Sequence, residues 1–297
     1  GTLPSKTLRE SLETIDDLNH HLGEQWMKRV RHGINADKIF GQAHDVSKQE
    51  KALVEKYIEK NKIQLIEGLG SIEDEHHVRV KATNKDPILI QTKYILIATG
   101  SKPGRPENIP FDSWRVIDSD DIFQLDSIPR SILIFGAGVI GCEYACMFRS
   151  LGAEVIVADS RKRILRFLDN EISEELKKSM ENSGIKFNLD TTLKKIEING
   201  NPKVVSSFKQ KTYETDIFLY SAGRISSTDR LGLEKLNIKK DKRGAIEVNS
   251  NFQTSHPNIY AAGDAIGAPA LTSTSGEQGR HVACHAFGHS IGGFPKV

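Results

Sequence analysis

A glycine-rich turn carries the residue types and the spacing that point most directly to chemistry. The run Gly136-Ala137-Gly138-Val139-Ile140-Gly141 follows the apolar residues 132–135 directly and opens a segment with helical periodicity. Glycines in this pattern let the backbone turn tightly and approach a pyrophosphate, which free N–H groups and the dipole of the following helix stabilise. We therefore predict that the turn binds the pyrophosphate of a nicotinamide dinucleotide through backbone groups alone.

The context of the turn supports this prediction, because glycine-rich turns alone occur in many loops. Helical spacing continues to Leu151, and a second apolar run, 155–158, ends at the acidic residue Asp159. The order strand, turn, helix, strand, acid is that of a dinucleotide-binding unit, in which the acid accepts a ribose 2′-hydroxyl.

The basic residues after Asp159 leave the choice of nucleotide open. Ser160-Arg161-Lys162-Arg163 has the charge to pair with the 2′-phosphate of NADP(H), whereas Asp159 suits NAD(H). A site that accepts both nucleotides is consistent with this mixed cluster. The alternative is that the basic run is solvated surface at the start of the next helix.

Size and composition predict a globular α/β protein. The 297 residues, of which 38% are hydrophobic, suffice for two lobes with separate cores. No apolar run approaches bilayer length, and the first residues lack the features of a signal peptide, so we expect a cytoplasmic protein. A net charge of +2 favours neither nucleic acid nor a membrane as a partner.

Cys142 and Cys146 lie four residues apart, a spacing more typical of buried small hydrophobes than of a metal site, and no metal is expected.

The predicted elements suggest that one domain is inserted into another. Strands are expected at 63–66, 78–80, 88–90 and 94–97, after a helix that begins with a capping box at Ser47. Prolines at 103, 106, 110 and 129 mark a linker region. Beyond it we expect a second α/β domain over 126–245, with a helix at 171–182 and a strand at 217–220, and then a return segment over 246–297.

Four motifs resemble, in this order, those of the two-dinucleotide-domain flavoproteins, the family that includes dihydrolipoamide dehydrogenase, glutathione reductase and soluble pyridine nucleotide transhydrogenase. They are Gly-Thr-Leu-Pro-Ser-Lys at 1–6, Ala-Thr-Gly-Ser-Lys-Pro at 98–103, the glycine turn with Glu143, and Ala-Gly-Asp at 262–264. The resemblance implies two Rossmann-like domains. An FAD domain made of 1–125 and 246–297 would be interrupted by an NAD(P) domain over 126–245.

The resemblance also implies site residues. Lys6 and Glu143 would form an ion pair near the flavin N5, the alternative being a surface salt bridge. Asp264 would accept a hydrogen bond from the ribityl chain, its alternative role being to cap the following turn. The implied FAD-binding residues are Lys6, Ala98, Thr99, Gly100, Gly263, Asp264 and Thr272. Those implied for NAD(P) are Gly136, Gly138, Val139, Ile140, Gly141, Glu143, Asp159, Ser160, Arg161, Leu193, Gly223 and Arg224, the last two near the nicotinamide edge.

Thr2 distinguishes the branches of this family. The disulfide reductases carry the second of two redox cysteines at the position before the hydrophobic-Pro-Ser-Lys run, and the transhydrogenase branch is similar to this chain in having threonine there. A hydroxyl cannot cycle between thiol and disulfide. The resemblance then implies FAD-dependent hydride transfer between NADPH and NAD. A disulfide reductase and a non-catalytic NAD(P)-binding module are the alternatives.

The chain also departs from the family pattern. The glycine-rich turn for the ADP half of FAD, which precedes the Pro-Ser-Lys run in the family, is absent here, as is the C-terminal dimerisation domain. We therefore expect an incomplete FAD domain in this chain, and a homodimer for a full-length parent.

Overall fold

The chain folds into two compact α/β units. A computed structural model describes residues 5–10, 12, 36–82, 86–198 and 203–289. The first unit consists of 1–57 and 103–223, and the second of 58–102 and 224–297. The domain limits at 126 and 245 remain predictions; most of the expected inserted domain, 126–223, lies within the first unit.

A five-stranded parallel sheet forms the centre of the first unit, in the order β6-β13-β7-β8-β9. A three-stranded antiparallel sheet, β10-β11-β12, follows β9. The strands are β6 (Val116–Asp118), β7 (Ser131–Phe135), β8 (Glu154–Ala158), β9 (Lys186–Asn188), β10 (Leu193–Glu197), β11 (Val204–Phe208), β12 (Thr212–Thr215) and β13 (Ile217–Tyr220). The helices are α1 (Ala36–Lys60), which runs on into the second unit, α2 (Val139–Ser150) and α3 (Asn170–Asn182), with a 3-10 turn at Asp121–Gln124.

Burial on both faces explains why β7 is apolar throughout its centre. Ile132, Leu133 and Ile134 are fully buried, with Ile132 and Ile134 in one apolar cluster and Leu133 in another. Parallel strands covered on both sides are expected to lack polar alternation. The helix α2 adds Tyr144 and Phe148 to the first cluster, so the helix that follows the glycine turn is anchored on the sheet.

The second unit is built from short strands. Its sheets are an antiparallel β1-β2-β3 meander, the parallel pair β4-β15, and the pair β5-β14. The strands are β1 (Leu69–Asp74), β2 (His77–Lys81), β3 (Ile88–Gln91), β4 (Ile95–Ile97), β5 (Ser101–Pro103), β14 (Arg224–Ser226) and β15 (Ile259–Ala261). Two 3-10 turns, Leu233–Leu236 and Gly263–Ile266, and the helix α4 (Thr272–Ala286) complete it.

Two predicted elements differ from the structure. The helix predicted to begin at Ser47 begins at Ala36, so the Ser-x-x-Glu pattern lies inside α1 and caps nothing. Ala36, Ile39, Phe40 and Ala43 have helical spacing, so the capping-box pattern at Ser47 was mistaken for the start of a helix that was already periodic. The strand expected at 63–66 is irregular backbone, and the first strand begins at Leu69.

None of the helices in the described ranges is long and apolar enough to cross a membrane. In the same ranges no cluster of three or more His, Cys, Asp or Glu side chains has an arrangement that would hold a metal ion.

A buried charge cluster fixes the segment that leads into the parallel sheet of the first unit. Arg105 donates hydrogen bonds to Asp118 (2.6 Å) and Asp121 (2.7 Å), whose side chains are 3% and 9% exposed. The Arg105 guanidinium also lies 5.0 Å from the centre of the Phe111 ring. One cation therefore pairs with two carboxylates that are almost removed from water.

We expect Arg105→Met to lower the free energy of unfolding by about 2–3 kcal/mol, because it leaves two adjacent buried carboxylates without their cation. Urea unfolding followed by circular dichroism measures the change. Lys195→Met is the control, since it breaks an exposed pair with Glu197 and is expected to cost about 0–1 kcal/mol. Equal effects of the two substitutions would contradict the structural role of Arg105.

Candidate dinucleotide site

The three glycines of the turn after β7 differ in how much space surrounds their Cβ positions. Gly136 has φ of +120°, and a Cβ there would lie 2.6 Å from the carbonyl carbon of Ser221, at the end of β13. Its N–H donates to the Ala158 carbonyl at the end of β8 (2.8 Å), and the Ser221 hydroxyl donates to its carbonyl (3.0 Å). The turn is therefore tied to both strands that neighbour β7.

Gly138 and Gly141 differ in what surrounds them. A Cβ at Gly141 would lie 1.8 Å from the Gly136 carbonyl oxygen. Only glycine therefore allows α2 to pack this closely against the turn. At Gly138 nothing lies within 4 Å of the Cβ position. That open space lies at the start of α2, where unpaired N–H groups and the helix dipole favour an anion. Val139 and Ile140 form the first turn of α2, Val139 half-exposed and Ile140 packed on the core.

The carboxylate of Asp159 holds the glycine turn from the end of β8. Asp159 is 3% exposed, and its Oδ2 accepts the Ala137 N–H at 2.6 Å. Arg161 binds the same carboxylate with its backbone N–H (2.8 Å), its Nε (2.8 Å) and its Nη2 (2.6 Å). Burial works against the charged form, but the hydrogen bonds from Arg161 and Ala137 outweigh it and hold the pKa of Asp159 below its usual range. The same pairing raises the pKa of Arg161.

The basic run after Asp159 folds back over the turn. The Leu165 N–H donates to the Ala137 carbonyl (2.9 Å), so both backbone groups of Ala137 are bonded. Ser160 is exposed, and Lys162 is 4.0 Å from Asp190 with 83% of its side chain exposed. Arg163 donates to the Arg166 carbonyl. The run is therefore an ordered loop rather than the start of a helix.

In the second unit, a serine that the sequence analysis did not single out joins Asp264, which was predicted to bind FAD, to Arg224, which was predicted to bind NAD(P). The Ser101 hydroxyl donates to Asp264 Oδ2 (2.6 Å) and accepts from Arg224 Nε (2.9 Å), while Arg224 Nη2 donates to the Ser101 carbonyl (2.8 Å). Arg224 thus lies in the unit that contains Asp264, and its place at a nicotinamide edge stays a prediction. The sequence signal that could have identified Ser101 is its position directly after Ala98-Thr99-Gly100.

The remaining predicted residues are distributed as follows. Gly100, with φ of +70°, accepts the Ser227 N–H on its carbonyl, and the N–H of Gly263, with φ of +69°, donates to the buried Gln278 side chain. Ala98, Thr99 and Thr272 are exposed, Leu193 packs against the cluster around Leu133, and Gly223 has open space at its Cβ position.

Lys6 and Glu143 are both exposed, and no ion pair between these two described residues is present. Thr2 lies outside the described residues. The roles given to these three residues therefore stay predictions.

The cysteines of the chain form no disulfide. Cys142 is buried on α2, and burial raises the pKa of its thiol to about 12, which keeps it protonated. Cys146 is exposed and Cys284 half-buried, and all three are thiols. Since Cys142 is not a thiolate near neutral pH, it is a poor nucleophile toward a disulfide.

A cleft of about 810 Å³ opens in the second unit beside β4. Thr99 and Ser227 line it, as do Lys102 and Asp229, whose side chains form an ion pair at 2.9 Å. One predicted FAD residue, Thr99, thus lines a cavity large enough for part of a cofactor.

The contrast between Gly138 and Gly141 generates a paired prediction. Gly141→Ala is expected to lower the free energy of unfolding by about 3 kcal/mol, because the new methyl group overlaps the Gly136 carbonyl. Gly138→Ala is expected to retain the fold but to weaken NADH binding by at least about tenfold, since the methyl fills the space at the turn. Thermal unfolding and NADH fluorescence titration separate the two effects; intact NADH affinity in Gly138→Ala would show that the turn does not hold the dinucleotide.

The lowered pKa of Asp159 predicts a pH dependence of stability. A depressed native pKa contributes stability above the unfolded value of about 3.9, and this contribution is lost as the pH falls through the native pKa. We expect Asp159→Asn to lower the free energy of unfolding by about 2 kcal/mol at pH 7, with the difference from the wild type shrinking below about pH 4. Urea unfolding between pH 3 and pH 7 tests this. Asp190→Asn, in the neighbouring turn, is the control and should change stability by less than about 0.5 kcal/mol. A difference for Asp159→Asn that does not vary with pH would contradict the assignment.

Comparison with known proteins places these features in a family. The chain is 40% identical over 283 residues to the soluble pyridine nucleotide transhydrogenase of Photobacterium profundum, covering 95% of this chain and 60% of the relative. It is 37% identical over 298 residues to the protein of the same name from Mycobacterium bovis, covering 100% of this chain and 64% of the relative. The chain therefore spans less than two thirds of the length of these relatives.

Solved structures show the same fold. LpdA from Mycobacterium tuberculosis superposes with a TM-score of 0.89 at 24% identity, over 99% of this chain and 64% of that one. The flavoprotein disulfide reductase RclA from Escherichia coli superposes with a TM-score of 0.81 at 23% identity, over 99% of this chain and 63% of that one. The resemblance inferred from the four motifs is confirmed by a family model that matches residues 1–279, and the chain belongs to the pyridine nucleotide-disulphide oxidoreductase family.

Proposed function

We propose that the protein to which this chain belongs transfers hydride between NADPH and NAD in an FAD-dependent reaction. The observation that carries the proposal is the geometry of the glycine turn, in which Gly138 leaves open space at the start of α2. Membership of the family and the names of the relatives at 37–40% identity support the same reaction. A cytoplasmic location and a homodimer for the whole protein are part of the proposal.

The first unit would hold the nicotinamide nucleotide. In the proposed complex the pyrophosphate lies over Gly138, at the N-terminal end of α2, where the first N–H groups of a helix have no intrahelical partner. Asp159 and Leu165 hold Ala137 from both sides, so the turn is ordered before the ligand arrives. A preordered turn spends less binding energy on losing conformational freedom.

The second unit would hold FAD, and one contact of the structure fits that role. Asp264 Oδ2 accepts the Ser101 hydroxyl, whereas Oδ1 accepts no hydrogen bond from the described residues. An acceptor oxygen fixed in this way suits a ribityl hydroxyl. The residues proposed to contact FAD are Lys6, Ala98, Thr99, Gly100, Gly263, Asp264 and Thr272.

FAD, when bound, supplies the two-electron chemistry that accepts hydride from one nicotinamide and returns it to another. The protein would orient the two nucleotides in turn and exclude water from the transfer. Lys6 and Glu143 would supply an ion pair beside the reacting ring. Threonine at position 2 offers no sulfur for a disulfide relay, which favours transfer between nucleotides over reduction of a disulfide.

A coupled assay tests the proposal. The protein produced from its complete reading frame and saturated with FAD is mixed anaerobically with NADPH and thio-NAD⁺, and reduced thio-NAD is followed by its absorbance. We expect reduction of thio-NAD⁺ and no reduction of lipoamide or glutathione disulfide, because electrons have no thiol relay. Turnover of either disulfide without thio-NAD⁺ reduction would identify a disulfide reductase. Binding of NADH with no turnover of any acceptor would identify a nucleotide-binding module, and either result overturns the proposal.

A further inference from the structure

A histidine in the second unit lies with its imidazole ring between two acceptor atoms. The backbone of His256 is fixed just before β15, because the Ile259 N–H donates to the His256 carbonyl (3.1 Å). Its ring Nδ1 is 2.9 Å from Glu75 Oε1, and its ring Nε2 is 2.7 Å from the Leu236 carbonyl oxygen. Both distances are those of hydrogen bonds, so each ring nitrogen contacts an acceptor.

The two contacts are satisfied together only when the imidazole is charged. A neutral imidazole has one N–H donor, whereas the imidazolium has two, and a carbonyl oxygen can only accept. A proton on Glu75 would also complete both bonds. That side chain is 50% exposed, however, and hydration favours a carboxylate over a carboxylic acid at neutral pH. The proton that completes both bonds therefore belongs on His256, whose side chain is 20% exposed.

The other charged groups around His256 have partners of their own. They lie on the hairpin between β1 and β2 and on the 3-10 turn that ends at Leu236, and the segment 250–258 contains none besides His256. Their ion pairs are Asp74–His77 (2.9 Å), Glu73–Arg79 (2.8 Å), Glu73–Lys235 (2.8 Å) and Glu234–Lys240 (2.7 Å). Glu75 is therefore the carboxylate of the hairpin that pairs with His256.

The adjacent histidine of the hairpin provides an internal contrast. His76 contacts one acceptor through its ring, the Thr92 carbonyl oxygen, at 3.1 Å from Nδ1. A neutral tautomer with its proton on Nδ1 satisfies that contact. The demand for two donors on one ring is thus particular to His256.

The bonds of His256 join three parts of the second unit. Glu75 lies in the turn of the β1–β2 hairpin, Leu236 ends a 3-10 turn, and His256 precedes β15, which leads to Asp264. The side-chain amide of Asn258 also donates to the Glu75 carbonyl oxygen. Because that bond does not depend on pH, the hairpin stays attached when His256 loses one of its bonds.

We propose that His256 is a proton-dependent clamp that fastens the β1–β2 hairpin and the 3-10 turn to the segment entering β15. As an imidazolium it donates to both acceptors, and as a neutral ring it keeps only one bond. The clamp is therefore complete at low pH and weakens as the pH rises through the range in which imidazole loses its proton. A free imidazole does so near pH 6.5, so the change falls close to physiological pH. The clamp needs no nucleotide and is independent of the proposed hydride transfer.

Native-state hydrogen exchange measures the clamp on this chain. The amides to follow are those of Ile95, which donates to the Asn258 carbonyl, and Ile259, which donates to the His256 carbonyl. Their protection factors, corrected for the intrinsic exchange rate, are compared near pH 5.5 and near pH 8. We expect the wild type to lose about tenfold of its protection between the two, because one charge-assisted hydrogen bond is lost.

Three variants make the result specific. His256→Gln keeps a side-chain N–H donor but cannot change its charge, so its protection should be the same at both pH values and close to that of the wild type near pH 8. Glu75→Gln keeps an acceptor oxygen without charge and should reduce the difference to less than about threefold. His76→Gln is the matched control and should leave the wild-type difference unchanged.

The ring nitrogens give a second readout that needs no variant. Near pH 5.5, ¹⁵N spectra of the wild type should show protons on both Nδ1 and Nε2 of His256. A single proton on the ring at that pH overturns the clamp. Equal protection of the wild type at both pH values, or a full pH difference retained in His256→Gln, overturns it as well.

Discussion

The contact between α2 and the turn that precedes it constrains everything else in the first unit. With a Cβ at Gly141 only 1.8 Å from the Gly136 carbonyl, the helix and the end of β7 are closer than any side chain allows. This approach brings the first N–H groups of α2 to the carboxyl edge of the parallel sheet, where ligands of open α/β folds bind. The anion-binding capacity of the turn thus follows from a packing constraint and needs no charged side chain.

The buried carboxylate of Asp159 connects two parts of this site. Asp159 bonds Ala137 of the turn and Arg161 of the next loop, so it joins the pyrophosphate end of the proposed site to its adenosine end. Its burial would favour protonation, yet the four hydrogen bonds it accepts favour the ion. The pair is therefore nearly neutral as a whole, and its exposed part is the Arg161 guanidinium rather than the carboxylate. An acid at the end of a second strand does not by itself reveal which group faces the nucleotide.

The sequence predicted the first unit well where the hydrophobic periodicity and the turn-forming glycines indicate the same element. The glycine turn, the helix after it and the strands at 155–158 and 217–220 lie where the pattern placed them, because buried parallel strands and glycine turns have strong local signals. The start of α1 at Ala36 was missed because the Ser-x-x-Glu pattern at Ser47 imitates a helix N-terminus, although Ile39 and Phe40 already have helical spacing. The absence of a strand at 63–66 was missed because a short apolar run is ambiguous. The hydrogen bonds of Ser101 and Arg161 depend on side-chain directions that no spacing specifies.

The two units differ in how completely their strands are paired. This difference bears on which binding event is simpler to measure, that at the glycine turn or that of FAD. The parallel sheet of the first unit has five strands, whereas β4 of the second unit pairs only with β15 among the described strands and exposes Leu96 on its surface. A two-stranded pair contributes little stability by itself, so the second unit depends on the apolar cluster around Leu233 and Ile259. The relatives are longer than this chain. Binding at the glycine turn can therefore be measured on the chain itself, whereas hydride transfer, which needs the flavin as well, is a property to be measured on the complete protein.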